Sequence, residues 1–428
     1  MSTSGRQFPR RRFLKRTLQA GAALAAPALV PGVALGKAGA PPPSERIVMA
    51  GVGIGGRGSG VLGEFLGQAD VQCVAICDVR ADRRERVKGI VDQRYGNQDC
   101  VPYRDFRELY AREDLDAVLI TTGSNCHALL SIYAAKAGKD VYCEKPCSKT
   151  IAESLALAAT FRRTARVFQG GMQRRNVGNF YHAVELARSG RLGKLRTVYA
   201  HPGGMGTATS GWPTPQPEPP KDEVDWDLYL GTAAWRPFSR GLLNSGFEKG
   251  GGLVGGGVLE WGSHCVDLCQ WANHADDTVP IEYSPRVERR ATARYANGVE
   301  LVLREDDWLG LGSCPVRFEG ETGWVETGDS GKFGVSSQSL LAGYPPERVG
   351  GQPPVSHVRD FLNCVKSRGK TRVNAEVACH SHIACHAANI AIFLDRKLTY
   401  DPLKNEFRND DEANRLRSEA AREPWRLG

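Results

Sequence analysis

The sequence predicts an α/β chain in two parts. The first is an N-terminal doubly wound parallel sheet, and the second is a C-terminal α+β domain on a largely antiparallel sheet. Three observations predict it. Short apolar runs alternate with helical stretches from residue 46 to residue 143. A glycine-rich turn, Gly51-Val52-Gly53-Ile54-Gly55-Gly56-Arg57-Gly58, directly follows the first apolar run. From residue 168 the texture changes to Gly-, Pro- and Trp-rich loops and then to stretches of alternating polar and apolar residues.

Taken in order, 46–50 is the first strand and 59–66 the helix that the glycine turn opens. Residues 71–77 form a second strand ending at Asp78, and 80–95 a charged helix. Residues 116–121 are continuously apolar, as a strand covered on both faces must be. A helix over 127–137, a strand over 140–143 and another over 167–171 follow. In the second part, 195–201 is a strand, 202–255 is loop, 286–303 and 316–327 carry strand alternation, and 356–365 and 375–394 are helical. The division expected is a leader at 1–36, a linker at 37–44, a first domain at 45–167, a second domain for substrate and oligomer contacts at 168–403, and a polar tail at 404–428 that wraps the surface.

A chain of 428 residues is too long for one typical core. Its 41% hydrophobic and 24% charged residues fit a soluble globular protein. The net charge of +8 would favour a nucleic-acid partner, but six cations and no acid lie in the first 36 residues, and without them the excess is +2. No nucleic acid is therefore expected. Arg10-Arg11-Arg12-Phe13-Leu14-Lys15 fits the twin-arginine pattern R-R-x-F-L-K, and an alanine-rich run and the small residues Ala34-Leu35-Gly36 follow it. Pro27 and Pro31 interrupt that run, which is short for a spanning helix. The expectation is Tat export to the periplasm of a folded chain, with no stable membrane anchor after cleavage. The twelve cysteines show no disulfide framework and no C-x-x-C pair, so core positions rather than a metal site are expected.

Gly51, Gly53 and Gly56 fit G-x-G-x-x-G between a strand and a helix, and Asp78 ends the next strand. That pattern describes a Rossmann dinucleotide site. Glycines let backbone N–H groups approach a pyrophosphate at a helix N-terminus, and the acid holds the ribose hydroxyls. Ile54 and Arg57 belong to the same loop. Asp78 favours NAD, because a 2′-phosphate beside it is repelled. Arg57 or Arg80 could neutralise such a phosphate, so NADP stays open.

Glu144-Lys145-Pro146 follows the strand at 140–143. With the glycine turn, Asp78, Thr121-Thr122, Asn125 and His127, it resembles the Gfo/Idh/MocA family of sugar and cyclitol dehydrogenases. The resemblance extends to residues 190–194, 226–231, 255–267 and 398–402, and it is closest to the secreted, Tat-signalled branch. It implies cofactor contacts at Thr121, Asn125, His127, Glu144 and Lys145, with Lys145 near both nicotinamide and substrate. A lysine at the carboxyl end of a parallel strand points into the ligand crevice, which agrees. The family's D-x-x-x-H motif corresponds to Glu260-Trp261-Gly262-Ser263-His264, with glutamate in the aspartate's place. Spacing of four puts Glu260 and His264 on one helix face, where the carboxylate can orient the imidazole or bind a sugar hydroxyl. Arg174, Arg175 and Asn176 correspond to the family's pocket-lining segment, and Trp261 and Asp267 are further substrate candidates. Trp212, Trp226 and Trp235 could also present flat faces to a sugar. A metal reading of Glu260, His264 and Asp267 lacks a clear third ligand, so no metal is expected.

These residues together imply hydride transfer between a secondary alcohol of a sugar or cyclitol and a tightly held nicotinamide dinucleotide. Lys145 or His264 takes the hydroxyl proton, and Glu260 assists. One alternative is an NAD-dependent glycosidase of the α-N-acetylgalactosaminidase type, which oxidises C3 transiently. Another is a non-catalytic sugar-binding protein. The family implies a homodimer or homotetramer.

Overall fold

The computed structural model describes residues 41–206, 214–244, 256–306, 310–343 and 355–427. The leader at 1–36, most of the linker, Trp212 and Gly255 lie outside them. Residues 41–46 form a short unit of their own, with a single 3-10 turn at Pro43–Glu45.

From Ile47 onward the chain first builds a six-stranded, wholly parallel sheet. Its strands are β1 (Ile47–Val52), β2 (Val71–Cys77), β3 (Val101–Tyr103), β4 (Ala117–Ile120), β5 (Asp140–Cys143) and β6 (Phe168–Gly170). Their spatial order is β3-β2-β1-β4-β5-β6. The helices α1 (Gly56–Leu66), α2 (Ala81–Tyr95), α3 (Phe106–Tyr110), α4 (Ser124–Lys136) and α5 (Ile151–Thr164) connect them. The order reverses between β1 and β4, which lie side by side from Met49↔Ala117 to Val52↔Ile120. Ligands of doubly wound sheets bind at the carboxyl ends of the strands at that reversal. β6 pairs with β5 as the sixth parallel strand, so the sheet runs past the boundary drawn at residue 167.

The second part begins with α6 (Gly178–Arg188), β7 (Leu195–Ala200), α7 (Trp226–Leu230), α8 (Arg240–Asn244) and α9 (Val258–Ala272). The strands β8 (Glu282–Tyr283), β9 (Arg290–Arg294), β10 (Glu300–Arg304), β11 (Val316–Gly320), β12 (Trp324–Thr327) and β13 (Phe333–Val335) follow. The chain ends with α10 (His357–Ser367), α11 (Ala375–Phe393), β14 (Leu398–Asp401), β15 (Glu406–Phe407) and α12 (Asp411–Arg415). Nine strands form one sheet in the order β13-β12-β11-β7-β10-β9-β8-β14-β15. Every neighbouring pair is antiparallel except β7 with β10. α6, α9 and α11 supply the apolar residues that cover it, including Phe180, Val266 and Ile383.

The two sequence halves do not map onto two isolated cores. α10 packs against the parallel sheet, where Phe65, Tyr142 and Phe361 meet edge to face at 5.4 to 6.0 Å. Such pairs each add about 0.5–1.5 kcal/mol beyond burial. Asp70 fastens the same helix through Arg359 at 2.9 Å and Lys366 at 2.5 Å. Burial works to raise the Asp70 pKa, but the two cations outweigh it and bring the value to about 2. The tail is not merely a polar surface wrap. Asn414 exchanges two hydrogen bonds with the Phe407 backbone at 2.8 Å, and Trp425 is buried in the first sheet's core. All twelve cysteines are buried and unpaired. Among the described residues, no helix is long and apolar enough to cross a membrane.

The sequence reading passes over β3, α3, α5 and α6, among others, and takes the two short helices within 202–255 as loop. α5 carries its own start signal, because the Thr150 hydroxyl accepts from the Glu153 N–H at 3.1 Å.

α11 buries two histidines. Burial pushes His386 down to about 3 and His382 to about 4. In the unfolded chain each takes a proton near pH 6.5. Between those values only the unfolded chain binds the proton, so folding stability falls as pH falls below 6.5. His386→Met is therefore expected to gain on the native chain by about 1.4 kcal/mol per pH unit as pH drops from 6.5 to 4. Urea unfolding at several pH values measures the difference, and a difference that stays flat with pH contradicts it.

Candidate active site

A cleft of about 330 Å³ opens where β1, β2 and β4 end. Two glycines make its floor possible. Gly53 has φ +67°, and a Cβ there would lie 2.2 Å from Thr122 Cγ2. A Cβ on Gly58 would lie 2.1 Å from Thr121 Oγ1. The Thr121 hydroxyl donates to the Gly53 carbonyl at 2.9 Å, so the turn and the β4 end are locked together. Gly56, Arg57 and Gly58 line the cleft and open α1, which brings a helix N-terminus to it. The motif's register shifts accordingly. Gly51 lies within β1, paired with Ile76 and Leu119, and Ile54 is fully buried in the core. Neither reaches the cleft, and Gly58 supplies the close helix–strand approach instead.

Asp78 lines the cleft at the end of β2. Its Oδ1 accepts the Arg80 N–H at 2.9 Å. Its Oδ2 is buried and has no hydrogen-bond partner among the described residues. Burial raises its pKa. A buried acceptor on a cleft wall calls for ligand hydroxyls, so the residues present fit the ribose of a dinucleotide. Arg80 is not free to meet a 2′-phosphate, since it bonds both Asp82 oxygens at 3.0 and 2.6 Å and Asn244 at 3.0 Å. Arg57 donates to Glu144 at 3.2 Å. Arg83, unmarked by any motif, also lines the cleft, and no hydrogen bond ties it to a described residue.

Asn125 and His127 act behind the cleft rather than in it. The Asn125 amide donates to the Tyr229 and Leu230 carbonyls at 3.1 and 2.9 Å. The His127 ring nitrogens lie 2.8 and 3.0 Å from the Pro146 and Thr122 carbonyls, and the neutral ring donates its one N–H to one of them. Burial lowers its pKa. Glu144 is buried too, and accepts from Arg57, Gln173 at 2.9 Å and its neighbour's N–H. Burial raises its pKa. His127 and Glu144 hold the segment after β5 in place, Glu144 against Arg57 of the glycine turn, while Asn125 anchors the Tyr229–Leu230 backbone.

That leaves Lys145 facing the other half of the chain. Its Nζ donates to Glu260 Oε1 at 2.6 Å and to the Glu260 carbonyl at 2.9 Å. The ammonium lies 5.4 Å from the Trp261 ring centroid, and the Arg174 guanidinium lies 5.8 Å from it. Glu260 and His264 do share α9, but the carboxylate reaches the lysine and not the imidazole. His264 Nε2 accepts from Arg174 at 2.9 Å, which assigns the ring proton to Nδ1. That Nδ1 is buried and has no partner among the described residues. Burial first, then the Arg174 and Lys145 cations, hold the His264 pKa well below its ordinary value, so the ring is neutral. Arg174 is itself fixed by both oxygens of Asp329, at 3.2 and 2.7 Å. Trp261 also lines a second cavity, of about 570 Å³, with His201 and the segment 310–315.

Three of the substrate candidates face inward. Arg175 is 1% exposed and forms a buried cluster with Asp267 at 2.8 and 2.7 Å and Asp276 at 3.0 and 2.7 Å. Asn176 bonds the His357 ring at 2.8 Å and the Val355 carbonyl at 3.2 Å. None of them can meet a substrate, because each spends its polar atoms inside the fold. Trp226 is buried, stacked on Tyr229 at 4.9 Å, and Trp235 is exposed. Among the described residues, no group of three or more His, Cys, Asp or Glu side chains is arranged to hold a metal.

Two family models match. One, described as "Oxidoreductase family, NAD-binding Rossmann fold", covers residues 46–172. The other, "Oxidoreductase family, C-terminal alpha/beta domain", covers residues 208–427. The chain belongs to the Gfo/Idh/MocA oxidoreductase family. Its NAD-binding domain is the parallel sheet with the cleft just described. A myo-inositol 2-dehydrogenase of Thermotoga maritima is 34% identical over 125 residues, 29% of this chain and 36% of that protein. A glycosyl hydrolase family 109 protein of Saccharopolyspora erythraea is 31% identical over 178 residues, 37% of this chain and 38% of that protein. The chain thus spans little more than a third of the length of these curated relatives. The crystal structure of the WlbA dehydrogenase from Bordetella pertussis, in complex with NADH and UDP-GlcNAcA, superposes with a TM-score of 0.61 at 16% identity, over 83% of this chain and 98% of that one. It shows the Gfo/Idh/MocA fold shared across both parts.

The inward placement of Arg175 has a measurable consequence. Arg175→Met leaves Asp267 and Asp276 without their cation, and is expected to cost about 3–5 kcal/mol of unfolding free energy. Retained stability in urea with only a raised KM would reassign Arg175 to the substrate.

Proposed function

We propose that this chain is an NAD-dependent oxidoreductase acting at a secondary alcohol of a sugar or cyclitol. The observation that carries the reading is the Lys145–Glu260 contact of 2.6 Å, made at the carboxyl end of β5 beside the glycine turn. The inositol dehydrogenase relative supports the substrate class. The nicotinamide, when bound, supplies the hydride acceptor or donor. Asp78 Oδ2 accepts from the ribose, and Gly53 and the α1 N-terminus admit the pyrophosphate. Lys145 then moves the proton. With its proton passed to Glu260 it is an amine that takes the alcohol's hydrogen, and as an ammonium it returns one to a carbonyl oxygen. His264 does not serve as the base, since its acceptor nitrogen is filled by Arg174. Its Nδ1–H is the donor left for a substrate oxygen. Trp261, between two cations, offers a flat apolar face to ring C–H groups.

Lys145→Met should lower kcat by about 10²–10⁴-fold while bound dinucleotide per chain is unchanged. Turnover of a panel of inositols and hexoses, followed by nicotinamide absorbance, reads the first quantity, and mass spectrometry of the denatured supernatant reads the second. Full activity in the variant removes Lys145 from the chemistry.

A second reading, an NAD-dependent glycosidase, is favoured by the family 109 match. Release of p-nitrophenol from aryl glycosides without added NAD selects it over net oxidation. We also propose Tat export to the periplasm and a homo-oligomeric state, on the Arg10–Lys15 motif and the family resemblance respectively. A dinucleotide carried out of the cytoplasm must stay bound, which makes its retention part of the function.

A further inference from the structure

The walls of the dinucleotide cleft do not all come from the parallel sheet. Leu228, Tyr229 and Gly231 of the second part also line it, as does Trp425, fourth from the chain's end. The tail reaches that place by a series of fixed contacts. The Arg417 carbonyl accepts the Ala152 N–H at 2.9 Å, and Glu419 pairs with Lys149 at 3.0 Å. The Arg422 N–H donates to the Thr232 carbonyl at 3.2 Å. The Arg422 guanidinium gathers the carbonyls of Asp227, Gly231 and Ala233 at 2.9, 3.1 and 3.3 Å and pairs with the Asp227 carboxylate. One arginine thus stitches the tail to the segment that carries Leu228 and Tyr229. Trp425 then packs on Phe106, with ring centroids 5.9 Å apart, under the Arg107 guanidinium at 5.3 Å. Its indole N–H is buried and has no partner among the described residues. An orphan donor in a cleft wall needs an acceptor, and a bound dinucleotide offers several.

We infer that Arg422 and Trp425 of the C-terminal tail are part of the dinucleotide site. Trp425 forms one wall, and Arg422 holds the Leu228–Gly231 wall in place, so the tail governs how fast the cofactor leaves. It rests on the dinucleotide assignment of the cleft and is independent of the substrate proposed above. A strap of this kind acts mainly on dissociation, because the cofactor must wait for local opening to escape.

The test uses the full chain loaded with NADH and chased with excess NAD⁺, following the loss of bound-NADH fluorescence. Arg422→Ala should raise the dissociation rate about tenfold or more. Trp425→Phe, which keeps a ring on Phe106 but removes the N–H, should raise it by less. Glu423→Ala breaks only the exposed pair with Arg426 in the same tail and should leave the rate unchanged. Circular dichroism and melting of the NADH-free proteins identify any variant that fails to fold, in which case Trp425→Phe decides alone. Rates within twofold of the native chain for both Arg422→Ala and Trp425→Phe overturn the inference. So does an equal rise in Glu423→Ala, which would signify general loosening. If the native chain binds no NADH, the cofactor assignment falls with it.

Discussion

The Lys145–Glu260 contact joins the end of a parallel strand to the first turn of a helix that carries the second part's core. Its position is dictated from both sides. β5 fixes the lysine's backbone, while Glu144, His127 and the Gln173 amide clamp the residues around it. α9 fixes the glutamate, because the residues after it, Val266, Leu268 and Cys269, are buried under the nine-stranded sheet. A shift of either element by one residue would separate the two charges and leave each half-buried without a partner. The site therefore exists only when both parts of the chain are folded and docked.

The charges that dock the scaffold close on their own partners, whereas several polar groups around the site do not. Asp70 with Arg359 and Lys366, Asp140 with Arg368, and Arg175 with Asp267 and Asp276 are closed sets in which each charge faces its opposite. Closed sets fix how elements dock and offer nothing to a ligand. Asp78 Oδ2, His264 Nδ1 and the Trp425 indole N–H are buried without partners among the described residues. All three lie at the cleft or beside Lys145, where a ligand would complete them.

Much of this was legible in the residues before any coordinates. Strand and helix periods announced the parallel sheet, because strands covered on both faces leave continuous apolar runs. Asp78 and Lys145 were found by their place after a strand. What the sequence hid was partner choice. Five glycines in eight residues allow two registers of the same motif, and only the packing of Gly58 on Thr121 selects the later one. Arg174 and Arg175 are neighbours of identical chemistry, yet one approaches the site and the other is sealed in the core, since the 3-10 turn at Gln173–Asn176 points successive side chains apart. Trp425 looked like the end of a polar tail, and its distant partner Phe106 carries no local mark.

The twelve unpaired thiols have a consequence of another kind. Each is enclosed in the native packing, distributed over both sheets and the helices between them. Cys77 and Cys126 line the dinucleotide cleft and Cys314 the second cavity, whereas at the other thiols a labelling event would mark an opening of the structure around that particular sulfur. The protein thus carries its own set of distributed clocks, against which the lifetime of each enclosed region can be timed without introducing a single foreign residue.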